Sequence, residues 1–213
     1  PLFTIQSYIL TLIDGGMDDP DVLKKYLKRS SKAIDRLTYL VKDLDLISQF
    51  ESGVKNIEKE KFDILIIINN VYELLEMESK KNKISLELDR NYLNPIFVMA
   101  DRERIQQVIT NLVMNSIKYG VENGTTEISV QNLNEGKLLI SVTDNGLGIS
   151  KKHLPRLFER FYRVDKSGNR KKGGSGLGLS IVKHVIEAHN EKIFVESNKN
   201  VGSEFSFTLE KVI

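Results

Sequence analysis

The chain has 213 residues, a net charge of +2 and no cysteine. This length is enough for one large domain or two smaller ones. Apolar residues make up 40% and charged residues 28% of the chain, a balance typical of a globular rather than a disordered protein. The lack of cysteine excludes a disulfide scaffold, a thiol nucleophile and a thiolate metal site. The longest apolar run, residues 64–68, is too short to cross a membrane.

The first fifty residues carry the apolar pattern of two helices. The pattern breaks at residues 14–16, and Asp19-Pro20 then offers a cap and a first-turn proline for the second helix. Beyond the break, apolar or small residues recur in steps of four and three, as in a helical bundle: Leu23, Leu27, Ser30, Ile34, Leu37, Val41 and Leu44. Two helices cannot bury such a stripe alone, so we expect the hairpin 1–50 to form a four-helix bundle on dimerisation.

A charged linker is expected over residues 51–60, and residues 61–213 then mix two periodicities. Alternation of apolar and polar residues predicts strands near 84–88, 128–130, 140–142 and 205–209. Helical patterns separate them, at about 64–81, 101–119, 151–161 and 177–189. The expected fold class is therefore α+β, in which the helical hairpin is followed by an α/β sandwich. Its mixed, largely antiparallel sheet would have helices on one face.

A basic, glycine-rich stretch lies in the second half of the chain. Residues 150–172 carry a net charge of +7, and half of the fourteen glycines fall between Gly146 and Gly178. Backbone N–H groups and cations both bind phosphate oxygens, so this stretch indicates a polyphosphate site. A nucleic-acid-binding arm is the rival interpretation, but such arms are rarely bracketed by glycine turns.

Two segments before this stretch carry candidate ligand groups. Asn111, Asn115 and Lys118 share one face of a helix, where two amides and an ammonium could hold hydrated Mg²⁺ and its phosphates. A chance polar face would give the same pattern. Asp144 follows a strand and precedes two glycines, so its carboxylate could accept a hydrogen bond from the exocyclic amine of adenine. The alternative is an ordinary Asp-Asn-Gly turn.

Two further segments lie within and after the basic stretch. Phe158 and Phe161 are predicted to anchor a short lid helix in the core, with Tyr162 and Arg163 free to reach a nucleotide. The segment 174–178, Gly-Ser-Gly-Leu-Gly, opens a helix and could form an anion cradle. Because it does not follow a strand, it is not a dinucleotide-binding fingerprint.

In their order and spacing, the four segments resemble the N, G1, F and G2 boxes of the GHKL ATPase superfamily. Residues 202–205 are similar to its third glycine box. The chain looks most like bacterial sensor histidine kinases of two-component systems, and the resemblance covers its whole length. Residues 1–50 resemble their HisKA-type dimerisation and histidine-phosphotransfer hairpin, and residues 61–213 resemble their catalytic ATP-binding domain, which has the Bergerat fold.

The resemblance implies ATP and Mg²⁺ as ligands. Asn115 would bind Mg²⁺ with support from Asn111, and Lys118 and Arg163 would stabilise the phosphates. Tyr119 would pack against adenine, whose amine Asp144 would recognise. The full set of nucleotide-binding residues that the resemblance implies is Asn111, Asn115, Lys118, Tyr119, Asp144, Gly146, Gly148, Ile149, Tyr162, Arg163, Gly174, Gly176, Leu177, Gly178, Leu179 and Ser203.

The resemblance also implies a phosphorelay. The γ-phosphoryl group would pass to a histidine of the hairpin and then to an aspartate of a response regulator. Pro1-Leu2 resembles the end of the acceptor motif, so we expect the acceptor histidine about five residues ahead of Pro1 and no self-phosphorylation of this chain. The histidines that the chain does contain are not expected to be catalytic: His153 should be a surface residue, and His189 should mark a helix end.

The implied protein partners are a second copy of the chain and the response regulator, with no nucleic acid and no membrane contact in this stretch. A stripe on the first helix, Phe3, Ser7, Tyr8 and Thr11, is a candidate docking surface for the regulator. Alternatively, Phe3 and Tyr8 thicken the bundle core. The expected location is the cytoplasm, and an upstream sensor or membrane anchor stays open.

Two other functions remain open from the sequence. An ATP hydrolase or clamp like the gyrase, Hsp90 and MutL relatives would carry a glutamate four residues before the metal-binding asparagine. Here that position is Asn111, whose amide cannot act as a general base. An anti-sigma-like serine kinase of the same superfamily would not need the dimer hairpin.

Overall fold

The computed structural model describes residues 2–51, 57–134, 136–164 and 174–212. The expected linker and the basic stretch therefore lie partly outside the described residues. The chain divides into two compact units, Pro1–Ser48 and Gln49–Ile213. Within the described ranges, none of the helices is both long enough and apolar enough to cross a membrane.

The first unit is helical. Helix α1 covers Leu2–Thr11, and α2 begins at Pro20 and continues to Glu51. Between them, Gly15 takes a φ of +104°, so the helix breaks at the predicted point. The Asp19 carboxylate accepts hydrogen bonds from the backbone N–H groups of Asp21 (2.9 Å) and Val22 (3.2 Å), as expected of a helix cap.

Much of the predicted apolar stripe of α2 is exposed in the single chain. Leu27, Ile34, Val41 and Leu44 are all exposed, whereas Ser30 in the same stripe is buried and its hydroxyl has no hydrogen-bond partner. An exposed row of large apolar side chains is unfavourable in water unless another surface covers it.

The second unit contains two sheets. A two-stranded antiparallel sheet pairs β1 with β3, and a five-stranded mixed sheet has the order β2-β4-β5-β7-β6, in which β2 and β4 alone are parallel. The elements in chain order are β1 Glu60–Asp63, α3 Ile64–Asn82, β2 Ser85–Leu88, β3 Phe97–Ala100, α4 Arg102–Tyr119, β4 Thr125–Asn132, β5 Lys137–Asp144, a 3₁₀ helix Lys151–Arg156, α5 Gly178–Ala188, β6 Ile193–Asn198 and β7 Gly202–Glu210.

The core of this unit lies between the five-stranded sheet and helices α3, α4 and α5. Alternate strand residues such as Ile128 and Phe207 are fully buried, whereas their strand neighbours are serine, threonine and glutamate. Asp63 and Asp101 cap α3 and α4 through their carboxylates, which explains why both helices begin where they do. The prediction of a mixed, largely antiparallel sheet with helices packed on it is confirmed.

The lid helix is the main difference from the sequence prediction. A helix was expected over 151–161, but only a 3₁₀ helix, Lys151–Arg156, forms. Pro155 lies inside it, and a proline lacks the N–H that a longer α-helix would need. Phe161 has a φ of +61° and is 59% exposed, so the prediction that it anchors the core is wrong. Strands β1, β3 and β6 were not predicted either.

Candidate functional site

A cavity of about 360 Å³ lies in the second unit, which is large enough for a small-molecule ligand. Its walls come from α4, the end of β5, the loop after it, the start of α5 and the start of β7. Most of the residues singled out in the sequence line it: Asn111, Asn115, Lys118, Tyr119, Asp144, Gly148, Ile149, Tyr162, Arg163, Gly174, Gly176, Gly178, Leu179 and Ser203.

Two of the expected site residues do not line the cavity. Gly146 lies just behind it and donates its backbone N–H to Oδ1 of Asp144 at 2.8 Å. The Leu177 side chain is fully buried in the core, so the expectation that it contacts a nucleotide is corrected. Leu177 and Leu179 are the same residue type at the start of α5, so the sequence does not distinguish them. Packing buries Leu177 and leaves Leu179 at the cavity.

Helix α4 forms one wall of the cavity. Its apolar face is buried through residues that include Val108 and Leu112, which leaves Asn111 and Asn115 on the cavity side. A Cβ added at Gly178 would lie only 3.1 Å from Oδ1 of Asn111. The glycine that opens α5 therefore leaves the room that this amide occupies.

Asp144 supplies a half-buried carboxylate at the end of β5. Burial raises the pKa of this carboxyl, and hydrogen bonds from the backbone N–H groups of Gly146 and Ser203 partly counteract that rise. These two donors hold the carboxylate in place at the cavity wall. An ionised carboxylate there can accept hydrogen bonds but cannot donate them.

Two glycines allow close backbone contacts behind Asp144. Gly148 has a φ of +60°, and a Cβ there would overlap the carbonyl oxygen of Asn198. Gly202 has a φ of +142°, and a Cβ there would overlap the carbonyl oxygen of Asp144. The loop after β5 and the β6–β7 turn can approach this closely only because both positions lack a side chain.

The other end of the cavity is positively charged. Lys118 places its ammonium 5.0 Å from the centre of the Tyr119 ring and close to Gly174. Arg163 is half-buried in the same cavity, and α5 begins there at Gly178. Two cations and the N-terminus of an 11-residue helix favour an anionic ligand at this end.

His153 is not the freely solvated side chain that the sequence suggested. Its Nδ1 lies 2.6 Å from the hydroxyl oxygen of Tyr162, and its side chain is partly buried. His189 ends α5 as expected but is fully buried. Its Nδ1 donates to the carbonyl of Val185 (2.7 Å), and its Nε2 accepts from the N–H of Asp101 (2.9 Å).

Several residues that line the cavity were not predicted. Leu147 and Ser175 each lie between two glycines that were, and Phe205 is on the buried face of a predicted strand, so all three could have been inferred from their neighbours. Nothing in the local pattern distinguishes the others. They are Met114, Ser116, Leu157 and Val164.

The chemistry of the donors is compatible with magnesium. Among the described residues, there is no cluster of three or more histidines, cysteines or carboxylates that could hold a metal ion alone. Asn111 and Asn115 offer neutral amide oxygens instead. Mg²⁺ prefers oxygen ligands, keeps several waters and is commonly bound together with the phosphates of a substrate, which fits this donor set.

Residues 100–213 match the family of histidine kinase-, DNA gyrase B- and HSP90-like ATPases. The chain belongs to this family. It is 35% identical over 211 residues to the sensor histidine kinase WalK of Bacillus subtilis. This match covers 98% of this chain and 34% of that protein. A WalK of Staphylococcus aureus is 33% identical over 210 residues, 98% of this chain and 50% of that protein.

Solved structures of histidine kinases are similar as well. Acinetobacter baumannii AdeS is 26% identical with a TM-score of 0.78, and the match covers 99% of this chain and 94% of that one. ThkA, solved in complex with the response regulator protein TrrA, is 29% identical with a TM-score of 0.75, over 100% of this chain and 58% of that one. The resemblance to sensor histidine kinases is thereby confirmed, although the chain spans only about a third of the Bacillus relative.

Proposed function

We propose that this member of the ATPase family binds Mg-ATP in the cavity of its second unit and is the catalytic part of a sensor histidine kinase. The observation that carries the proposal is that the amides of Asn111 and Asn115 and the carboxylate of Asp144 line one cavity. The two amides come from α4 and the carboxylate from the end of β5, and the two kinds of group match different parts of an adenine nucleotide.

Asp144 is the group that would select adenine. Its carboxylate accepts a hydrogen bond from the exocyclic amine of adenine, whereas the 6-oxo group of guanine would face it with a second acceptor. A hydrogen bond to a charged group contributes about 1.5–3 kcal/mol, which corresponds to a preference of about tenfold or more. Tyr119, at the edge of the same cavity, would cover the base.

The polar end of the cavity would hold the triphosphate. Lys118 and Arg163 bind phosphate oxygens there, and the first N–H groups of α5 add further donors. Asn115, supported by Asn111, would hold Mg²⁺, which when bound neutralises part of the triphosphate charge. Phosphoryl transfer depends mainly on such positioning and charge neutralisation.

The acceptor would be a histidine of the helical hairpin, from which the phosphoryl group passes to an aspartate of a response regulator. The helical unit has the exposed apolar stripe expected of a dimerisation surface. On α1, Phe3 is 83% exposed and Ser7 and Thr11 are exposed, as docking of a regulator would require. The Tyr8 ring lies 5.4 Å from that of Tyr26, so Tyr8 also contributes to packing between α1 and α2.

Nucleotide binding tests the first step. Calorimetry with Mg-ATP and Mg-GTP should show binding of ATP and at least about tenfold weaker binding of GTP. Equal affinities would contradict the assignment of the base pocket. For the transfer step, labelled ATP should give an acid-labile phosphoprotein when a hairpin that carries an acceptor histidine is supplied. Release of phosphate without labelled protein would identify a hydrolase instead.

Dimerisation is tested separately on the helical unit. Ile34 is exposed in the middle of the stripe, so Ile34→Glu should convert a dimer to a monomer in sedimentation velocity. Lys32→Glu, on an exposed position nearby, is the control and should leave the dimer intact. A wild-type chain that is monomeric at high micromolar concentration would contradict the proposed interface.

A further inference from the structure

Tyr162 and Arg163 leave the 3₁₀-helix region at the edge of the cavity, and their local backbone is firmly held. The backbone N–H of Phe161 donates to the carbonyl oxygen of Gly176 at 2.9 Å, which joins this segment to the start of α5. Phe161 itself has a φ of +61°, an unusual value for a residue with a side chain. The chain therefore makes a sharp turn immediately before the two residues that line the cavity.

The Tyr162 side chain is held on two sides. Its hydroxyl oxygen is hydrogen-bonded to Nδ1 of His153 at 2.6 Å, and the histidine tautomer decides which of the two is the donor. The Arg156 guanidinium lies 4.5 Å from the centre of the Tyr162 ring, within the range of a cation–π contact. Glu159 in turn binds Arg156 through two oxygens, at 3.0 Å and 2.8 Å, on the exposed side of the ring.

We infer that His153 is a positioning residue for Tyr162 and, through it, for Arg163 at the phosphate end of the cavity. The inference rests on the proposed function. His153 does not line the cavity, whereas Tyr162 and Arg163 do. Arg163 follows Tyr162 directly, so holding the Tyr162 ring at both its face and its hydroxyl restrains the backbone position from which the Arg163 side chain extends.

This arrangement predicts an effect that depends on the ligand. Arg163 belongs to the end of the cavity that would bind the outer phosphates, so loss of its positioning should weaken ATP binding and leave AMP binding nearly unchanged. A defect in folding, or a general loosening of the cavity, would instead lower the affinities for ATP and AMP alike. One lost hydrogen bond corresponds to a loss of roughly threefold to tenfold in affinity.

Two variants at one position separate the hydrogen bond from the bulk of the side chain. His153→Leu keeps a side chain of similar bulk but removes both ring nitrogens. His153→Asn is smaller but keeps a hydrogen-bonding atom near the position of Nδ1. Affinities for Mg-ATP and AMP would be measured by calorimetry or by displacement of a fluorescent adenine nucleotide. Thermal unfolding of each variant would be recorded alongside.

For His153→Leu we expect ATP affinity to fall roughly threefold to tenfold and AMP affinity to change by less than about twofold. His153→Asn should restore ATP binding to within about twofold of wild type. Tyr162→Phe should match His153→Leu, and the double variant should be no worse than either single one, because both remove the same contact.

Three results would overturn the inference: unchanged ATP binding in His153→Leu, equal losses for ATP and AMP, or additive losses in the double variant. Each of these leaves the proposed function standing as long as the wild-type chain prefers ATP to GTP. If the wild type binds neither nucleotide, the proposed function fails instead, so the two failures are distinguishable.

Discussion

The side-chain oxygen of Ser197 accepts a hydrogen bond from the backbone N–H of Ile149 at 2.8 Å, although the two residues are 48 positions apart. The same oxygen donates to the carbonyl of Gly202 at 2.7 Å and lies 3.0 Å from the hydroxyl of Ser203. One buried hydroxyl thus joins the loop after β5 to the β6–β7 turn. Both segments border Asp144, so the relationship links the stability of this turn to the shape of the cavity.

Ser197→Ala should therefore affect both stability and binding. It leaves the Ile149 N–H without its buried partner, which costs about 1–3 kcal/mol of the free energy of unfolding. ATP affinity should fall as well, because Ile149 and Ser203 line the cavity. Urea unfolding and calorimetry would measure the two effects. The control is Ser206→Ala, a buried serine on β7 that does not line the cavity, and equal behaviour of the two variants would contradict the linkage.

Asp144→Asn should weaken ATP binding without lowering the stability of the fold at pH 7. Burial raises the pKa of Asp144, so the folded state binds its proton more tightly than the unfolded state does. That contribution stabilises the fold at low pH and is lost as the pH rises through the raised pKa, so at pH 7 the ionised group is a net cost. The asparagine variant should thus be at least as stable at pH 7 but bind ATP about tenfold or more weakly.

The same titration gives a pH dependence of nucleotide binding. As the pH falls, Asp144 protonates earlier than an ordinary aspartate would, and the carboxylate that accepts the adenine amine is lost. The ratio of ATP affinities of wild type and Asp144→Asn should therefore shrink towards acid pH. Glu127→Gln, on an exposed position of β4, is the control and should leave both stability and binding unchanged.

Gly148→Ala tests the close approach behind the cavity. Gly136 offers a matched control because it also has a positive φ, +70° against +60°, but its Cβ would meet nothing within 4 Å. Gly136→Ala should lower the free energy of unfolding by about 1–2 kcal/mol, the cost of a left-handed backbone for a residue with a side chain. Gly148→Ala adds an overlap with the Asn198 carbonyl, so it should be clearly less stable in urea unfolding and should bind ATP less well. Equal losses of stability would show that the backbone there can move apart freely.

His189 predicts a loss of stability in mild acid. Burial lowers the pKa of this imidazole, and its two hydrogen bonds require the neutral form, because Nε2 accepts the Asp101 N–H. The unfolded state therefore binds the proton more tightly, and stability falls as the pH drops below about 6.5 and through the lowered folded pKa. Urea midpoints at pH 7.5 and 5.5 would measure this loss.

His189→Gln should remove most of that pH dependence and cost about 1–3 kcal/mol at neutral pH, since two buried partners lose their hydrogen bonds. His184→Gln is the comparison, because burial lowers the pKa of His184 as well but its side chain is only half-buried. A wild-type-like pH dependence in His189→Gln, with the effect found in His184→Gln, would contradict the assignment.

Local sequence patterns predicted the helices of the second unit well where apolar periodicity and capping agreed. Helix α4 was expected at 101–119 and forms as Arg102–Tyr119, because the Asp101 cap and the buried stripe around Leu112 both favour that start and that face. The same stripe placed Asn111 and Asn115 together on its polar side. The prediction of a helix in the lid region was wrong because Pro155 and the turn at Phe161 override an apparent helical spacing.

The resemblance of four short motifs to a known family thus indicated the family and most of the groups around the cavity, and local periodicity indicated the α/β architecture. Motifs and periodicity extend over one or two turns of helix or a few residues of strand, and the chemistry of Asn111, Asn115 and Asp144 is visible at that range. Contacts that form only on folding were not: the Ser197–Ile149 bond, the His153–Tyr162 pair and the burial of Leu177 all required the folded chain. His153 and Tyr162 are nine residues apart and meet because the chain turns between them. The other two depend on how β6, β7 and α5 return to the sheet, and that path is set by packing of the whole core.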